Sequence, residues 1–496
     1  MYWYLTLVST ILCSVTSFYL WWSKIKRYWA DRDVPHLPPV PFLGSFTFLQ
    51  RENILYALKL EHYQTDIGCV GFINSLIAWR PGLLVNSPKI SRNILIKDFD
   101  IFKNRFLSSG DTDPVGSLNL LTVNDPLWSS VRRQLGGLFT SAKLRIFQDH
   151  TRAKAKELVQ RIHNDRNNKI DIKKMFVDYT TDVIGTTAFG IKSDATLTGA
   201  GPLRDITHEF SRYSVFRNIS WYSIFFFPEL VDIFRFKFFP KSSLEYFKKV
   251  FQLIMSRREI YEKDKKTIDL LDFLINIKKE NANFSEDLII AQAAILLFGG
   301  YETSGNLLTY ITYELAHNPK IQDKLYQELS EAVRRNGNDD FDMTTLSELT
   351  YLTSVVKETL RIYTPMGWID RIASEDYKVD DKLTIEAGTV VYINCFGMHL
   401  DPKYFPDPYK FDPDRFLPEN SHNIEPHTYL PFGEGPRACI GKRFGLMTVQ
   451  LGLAQVLLNY KILPYSNSPK PSEIKISSST VWLIPGETLS VQFIPR

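Results

Sequence analysis

Between Ser285 and Pro319 the chain reads SEDLIIAQAAILLFGGYETSGNLLTYITYELAHNP, and this stretch constrains the fold more than any other. Ser285 is a residue type that caps a helix, and Glu286 and Asp287 put negative charge in the first turn, where the helix dipole favours it. Pro319 ends the run. The result is a helix of about 32 residues, roughly 48 Å long. No residue from Leu288 to Tyr301 is charged, which predicts a helix buried on all sides. A buried rod of that length needs a large body around it. Glu302, Thr303 and Ser304 then follow in mid-helix beside Gly299 and Gly300. Each glycine costs about 1 kcal/mol relative to alanine, and a buried carboxylate is unfavourable unless paired or hydrated. Two readings compete. The segment is a kink with satisfied polar groups, or a groove where a ligand lies on bare backbone beside a proton-handling pair.

The chain has 496 residues, 44% of them hydrophobic, enough to surround such a helix. Its net charge of +4 comes without a long basic run, so nothing indicates nucleic acid. The four cysteines, Cys13, Cys69, Cys395 and Cys439, include no C-x-x-C pair. That excludes a disulfide framework or zinc cluster and suits a reducing compartment. No repeat and no Gly-, Pro- or Ser-rich linker divides residues 45–496, which implies one folding unit. Helical periodicity marks 146–166, 244–262, 319–336 and 440–460. Strand-like runs cluster at 67–86, 376–395 and 473–494. The expected class is mainly α with a small β region, a single large domain behind an N-terminal transmembrane helix.

That helix is residues 1–22, MYWYLTLVSTILCSVTSFYLWW, which are uncharged and long enough to span a bilayer. Aromatic residues sit at both ends, and Lys24, Lys26 and Arg27 come next. The positive-inside rule then leaves the rest of the chain on the cytosolic side. A basic stop and proline-rich hinge, residues 23–44, is expected to form a stiff extended spacer before the domain at 45–496.

The loop PFGEGPRACIGKRFG, residues 431–445, places Cys439 just before a helical run. A helix N-terminus offers free N–H groups and a positive dipole end, both of which favour thiolate. Gly435 and Gly441 allow backbone to approach something flat, and Arg437 can pair with an anionic group on it. A thiolate without a His–Asn partner or second cysteine is a poor protease or redox site. It is a good axial ligand for haem iron.

The loop resembles the haem-binding signature of the cytochrome P450 family, F-x-x-G-x-R-x-C-x-G, met by Phe432, Gly435, Arg437, Cys439 and Gly441. KETLR resembles the E-x-x-R helix of the family, with Glu358 and Arg361, and FDPDRF its P-E-R-F segment, with Asp414 for Glu and then Arg415. WSSVR resembles the W-x-x-x-R helix, with Trp128 and Arg132, and GGYETS the oxygen-activation motif. The resemblance implies haem b on the Cys439 thiolate, its propionates held by Trp128, Arg132, Arg371 and Arg437. It implies proton delivery by Thr303 and Glu302, and a supporting network of Glu358, Arg361 and Arg415. His399 is read as a packed histidine.

The activity implied is a monooxygenase of the endoplasmic reticulum membrane that uses NADPH through cytochrome P450 reductase, with cytochrome b5 as a possible helper. Lys442, Arg443 and Arg133 suit docking of an acidic partner. The aromatic stretch 211–240 is core or a membrane-dipping access segment, the second being favoured. Phrases around Thr303 and Cys439 resemble the insect detoxification branch, which implies oxidation of plant toxins or insecticides. The alternatives are an endogenous lipid or hormone hydroxylase, a thiolate-haem isomerase, or a non-enzymatic haem binder.

Overall fold

The computed structural model describes residues 2–496 apart from 41–43, 46–52, 54, 56–67, 75–79, 213, 262–268 and 281–283. The apolar N-terminal run forms helix α1 (Tyr2–Arg27), which continues through the basic cluster so that Lys24, Lys26 and Arg27 occupy its last turn. The negative dipole end favours cations there. Its side chains from Trp3 to Tyr19 are exposed, and it is long and apolar enough to cross a bilayer.

The segment beyond α1 is not a free spacer. Ile25, Tyr28 and Trp29 are buried. The Trp29 indole N–H donates to the Phe72 carbonyl at 2.8 Å. The Tyr28 hydroxyl donates to Glu386 at 2.8 Å, and Arg32 pairs with the same carboxylate at 2.6 Å. Gly71 leaves room for the indole, since a Cβ there would lie 2.4 Å from its ring. The proline segment then lies along the sheet, with Gly71 N donating to Pro35 O and Leu37 N to Gly71 O. The expected spacer is extended, as its prolines require, but it belongs to the globule. A chain short of N–H donors can still lie along a sheet edge. Its residues 41–43 are outside those described.

Strand β1 (Cys69–Asn74) pairs antiparallel with β2 (Arg80–Val85). The sheet is completed by β3 (Ile369–Ile372) and β6 (Val390–Ile393) in the order β1-β2-β6-β3, the β2–β6 pair being parallel. Two small antiparallel pairs accompany it, β4 (Tyr377–Lys378) with β5 (Thr384–Ile385) and β7 (Tyr460–Pro464) with β8 (Val491–Pro495). β1, β2, β4, β5, β6 and β8 fall on the strand-like runs of the sequence, whereas β3 and β7 lie outside them; the middle of the first run, 75–79, lies outside the described residues.

The helices that frame the site are α2 (Leu127–Gly136), α3 (Ser141–Asp165), α4 (Ile172–Phe189) and α5 (Pro202–Phe210). They continue with α6 (Val215–Phe226), α7 (Glu286–His317), α8 (Pro319–Asn336), α9 (Thr350–Ile362) and α10 (Lys442–Asn459). Helix α7 starts where the sequence places it, with the Ser285 hydroxyl accepting from Leu288 N at 3.2 Å. It runs through the core, packed chiefly against α4 and α10. Its burial is not complete, contrary to expectation. Ile295, Leu296, Gly300 and Thr303 are half-buried and Gly299 is exposed. That spacing is one stripe of a 3.6-residue helix, and it opens on a cavity. The stretch 211–240 is both core and surface. Trp221, Phe225, Phe226, Phe238 and Phe239 are buried, while Val215, Phe216, Ile219, Ile233 and Phe234 are exposed.

Candidate active site

The cavity holds about 350 Å³ and is shared by the α7 stripe, the Cys439 loop, α2 and the segment Pro365–Ile369. Thr303 lines it, its hydroxyl donating to the Gly299 carbonyl at 2.8 Å. Glu302 does not line it. Adjacent residues on a helix point about 100° apart, and here the turn from Thr303 back to Glu302 carries the carboxylate away from the cavity. The Glu302 carboxylate instead accepts from the Ser211 hydroxyl at 2.5 Å and from the Asn306 amide at 3.0 Å. The Tyr301 hydroxyl lies 2.8 Å from Ser211 Oγ. Burial pushes the Tyr301 pKa well up, so it stays a donor.

The Cys439 thiol is exposed to the cavity. Its loop is closed by Cys439 N donating to Phe432 O at 2.9 Å and Ala438 N to Gly435 O at 3.0 Å. Gly441 is the N-cap of α10 and makes no side-chain cap, leaving the first N–H groups toward the sulfur. Burial raises the thiol pKa, whereas the N–H groups of Gly441 and Lys442 and the charges of Arg132 and Lys442 lower it. Burial outweighs them, and the net shift of the free thiol is upward. Gly435 has another reason than a flat ligand. At φ +72° a Cβ would meet the Leu95 carbonyl oxygen at 1.9 Å, so the close approach is to protein backbone. A Cβ at Gly441 would meet nothing within 4 Å. Phe432 lines the cavity beneath Lys442, whose Nζ is 5.5 Å from the ring centroid.

Trp128, Arg132, Arg371 and Arg437 all reach this cavity, joined by Arg105, which carries no motif and is not signalled by the sequence. Arg132 donates to the Ala438 carbonyl at 2.8 Å. Arg437 lies over the Trp128 ring, 4.2 Å from its centroid, and donates to Val123 O at 3.1 Å. Arg105 pairs with Asp370 at 3.0 Å, and the carboxylate also accepts from Phe106 N and Leu107 N. Arg371 Nε and Arg437 Nε and Nη1 are buried without an acceptor. Burial, reinforced by Arg105, pushes Arg371 down to about 9 and Arg437 to about 8. Arg105, Arg371 and Arg437 around the Asp370 carboxylate, with Arg132 beside Cys439, call for further negative charge. The two propionates of a haem would supply that charge, and Cys439 would offer its iron a sulfur ligand, so the residues present fit the group.

Glu358, Arg361 and Arg415 lie together. Arg361 is bidentate to Glu358 at 2.7 and 2.8 Å with both side chains buried, and Arg415 Nε lies 3.5 Å from the same carboxylate. Glu358 also accepts from Asp412 N at 2.9 Å, and Arg361 donates to the His399 carbonyl at 2.8 Å. His399 is packed as expected and does more. Its Nε2 accepts from Leu430 N at 2.8 Å, tying the entry of the Cys439 loop to the core. No local sequence pattern signals that contact.

The chain matches the family model Cytochrome P450 over residues 35–490. It is 32% identical to cytochrome P450 6k1 of Blattella germanica, over 96% of this chain and 94% of that one. It is 33% identical to probable cytochrome P450 6g2 of Drosophila melanogaster, over 89% and 90%. Against cytochrome P450 3A9 of Rattus norvegicus the identity is 31%, over 100% and 96%. A cysteine loop, an alcohol on a broken helical stripe and unpaired arginines thus share one cavity in a chain matched along nearly its whole length, and the chain belongs to the cytochrome P450 family of haem monooxygenases.

Proposed function

We propose that this monooxygenase takes electrons from NADPH through a partner reductase, with cytochrome b5 as an accessory donor, and oxidises lipophilic foreign compounds. The observation that carries the reading is that Cys439, Thr303 and the unpaired arginines open on one cavity whose other walls are largely apolar. Haem bound there supplies dioxygen activation and transfer of one oxygen atom to a substrate. Cys439 Sγ would hold its iron, and Arg132, Arg371 and Arg437, with Trp128 behind Arg437, would hold the propionates. Thr303 Oγ1, its proton committed to Gly299 O, turns its lone pairs to the cavity and accepts from water there. Glu302, held by the Ser211 hydroxyl that also meets Tyr301, is the proton reservoir behind it.

Lys442, Arg443 and Arg133 are exposed beside the Cys439 loop and form the docking face for an acidic reductase. Helix α1 anchors the protein in the endoplasmic reticulum membrane, with the domain on the cytosolic face. The exposed apolar patch Val215, Phe216, Ile219, Ile233 and Phe234 meets the same bilayer.

The test is full-length protein in membranes with reductase and NADPH, offered a panel of toxins, steroids and fatty acids, with products read by mass spectrometry. Oxygenated products from several foreign compounds support the reading. Oxidation of a single endogenous lipid replaces it with a biosynthetic role. Thr303→Ala is expected to lower product per NADPH and raise peroxide; unchanged coupling removes Thr303 from proton delivery.

A further inference from the structure

Glu314 and Tyr363 form a buried pair that oxygen transfer in the cavity does not use. The Tyr363 hydroxyl donates to Glu314 Oε1 at 2.7 Å, within reach of direct proton transfer. Glu314 is 5% exposed and Tyr363 8%. The Tyr310 ring lies flat on the Tyr363 ring, with centroids 4.1 Å apart and planes 9° from parallel. Tyr310 and Glu314 are one turn apart on α7. Tyr363 is the C-cap of α9, its N–H donating to Thr359 O at 2.8 Å. Two helices thus hold a phenol, its proton acceptor and a second ring in one stack.

The stack lies next to the cavity. Leu307 on α7 and Leu360 on α9 line it. Tyr310 and Tyr363 each come three residues later, about one helical turn. On the far side Tyr313 follows on α7, its ring 4.6 Å from that of the half-buried His317 at the end of the helix.

A buried phenol that loses an electron and keeps its proton becomes a cation in a medium of low dielectric, which is costly. Passing the proton to a carboxylate at the same time leaves a neutral ring and a neutral acid. Burial raises the Glu314 pKa to about 7, so both of its forms are accessible near neutrality. Burial also pushes the Tyr363 pKa well up, so the resting phenol keeps its proton. Tyr28 and Tyr377 donate to carboxylates too, but they stand edge-on to Trp29 and Phe102 and carry no such parallel stack there.

We propose that Tyr363 is a redox-active tyrosine, with Glu314 as its base and Tyr310 as its stacked partner, which discharges oxidising equivalents left in the cavity when no substrate takes the oxygen atom. This rests on the monooxygenase reading for the source of the oxidant and adds a second function to it. One electron leaves the Tyr363 ring and reduces the oxidised haem group by one equivalent. The phenol O–H bond breaks, and its proton forms an O–H bond on Glu314. A small thiol at the His317 end returns one electron along Tyr313, and Glu314 gives the proton back. Two thiols oxidised in this way lose their protons and join as a disulfide.

The test uses full-length haem-loaded protein in nanodiscs without substrate. Peracetic acid supplies the oxidising equivalents, and samples frozen within milliseconds are read by electron paramagnetic resonance. Ring-deuterated tyrosine narrows a tyrosyl signal and separates it from a tryptophanyl one. The wild type is expected to show a tyrosyl radical. Tyr363→Phe, which keeps the ring and the stack, is expected to lose most of it. Glu314→Gln, which removes the base and keeps the shape, is expected to lower its yield several-fold. Both variants are expected to bleach their haem faster than wild type when NADPH is oxidised without substrate. A wild type with no tyrosyl signal overturns the proposal, as does a full signal in Tyr363→Phe or in Glu314→Gln. A normal ferrous–CO spectrum with oxygenated products in those cases leaves the monooxygenase reading standing, so the two failures are distinguishable.

Discussion

His399 and Glu314 are buried titratable residues whose pH responses run in opposite directions. Burial, followed by the charge of Arg361, pushes the His399 pKa down to about 3. The folded protein therefore needs the neutral ring, and this contribution is present above the ordinary histidine value and lost as pH falls through about 6.5 toward 3. His399→Phe strands the Leu430 N–H and is expected to lower stability by about 1–3 kcal/mol at neutral pH. It should also flatten the acid side of the melting curve, as calorimetry between pH 5 and 7 would show. Glu314 lies on α7, where the Tyr363 hydroxyl donates to it at 2.7 Å and Asn318 at 3.1 Å. Burial raises its pKa to about 7, with the Glu358 charge adding to the rise. The folded state prefers this group protonated, so its contribution is full below about 4.5 and is lost as pH rises through 7. Glu314→Gln is expected to stabilise the protein at pH 8 by up to about 3 kcal/mol and to do little at pH 5. Equal melting shifts at both pH values would contradict this.

At the scale of elements, Trp29 comes after α1 in sequence yet packs on β1. Removal of residues 2–23 is expected to leave the melting temperature unchanged. Trp29→Ala empties the site over Gly71 and is expected to cost about 3–5 kcal/mol. Elements with a clean apolar period are legible in the chain: α8 begins at Pro319 and ends at Asn336, and α7 begins behind Ser285. The open stripe on α7 is not, because an uncharged run from Leu288 to Tyr301 carries no sign of which face meets a void. Motif residues close in sequence, such as Glu358 with Arg361, can be paired by helical spacing. Arg105 with Asp370 and His399 with Leu430 cannot, since those contacts join distant segments and leave no local pattern. Gly435 in the sequence suggests room for a ligand, whereas the carbonyl it avoids belongs to Leu95.

For the whole molecule, the proposed reading has charge on the face around the Cys439 loop govern encounter with an acidic reductase. Lys442→Glu combined with Arg443→Glu is expected to raise the reductase concentration needed for half-maximal turnover several-fold at low salt, with the difference shrinking as salt rises. A salt-independent difference would point to misfolding of the loop instead. The clamp of Tyr28, Trp29 and Arg32 onto the sheet adds a geometric consequence. A body on a loose tether tumbles through every attitude above a surface. With α1 held in a bilayer and its exit fixed to the domain, tilt and height are largely removed, and rotation about the membrane normal is the main freedom left. Meeting a second membrane-held protein then becomes a search over position in a plane and one angle.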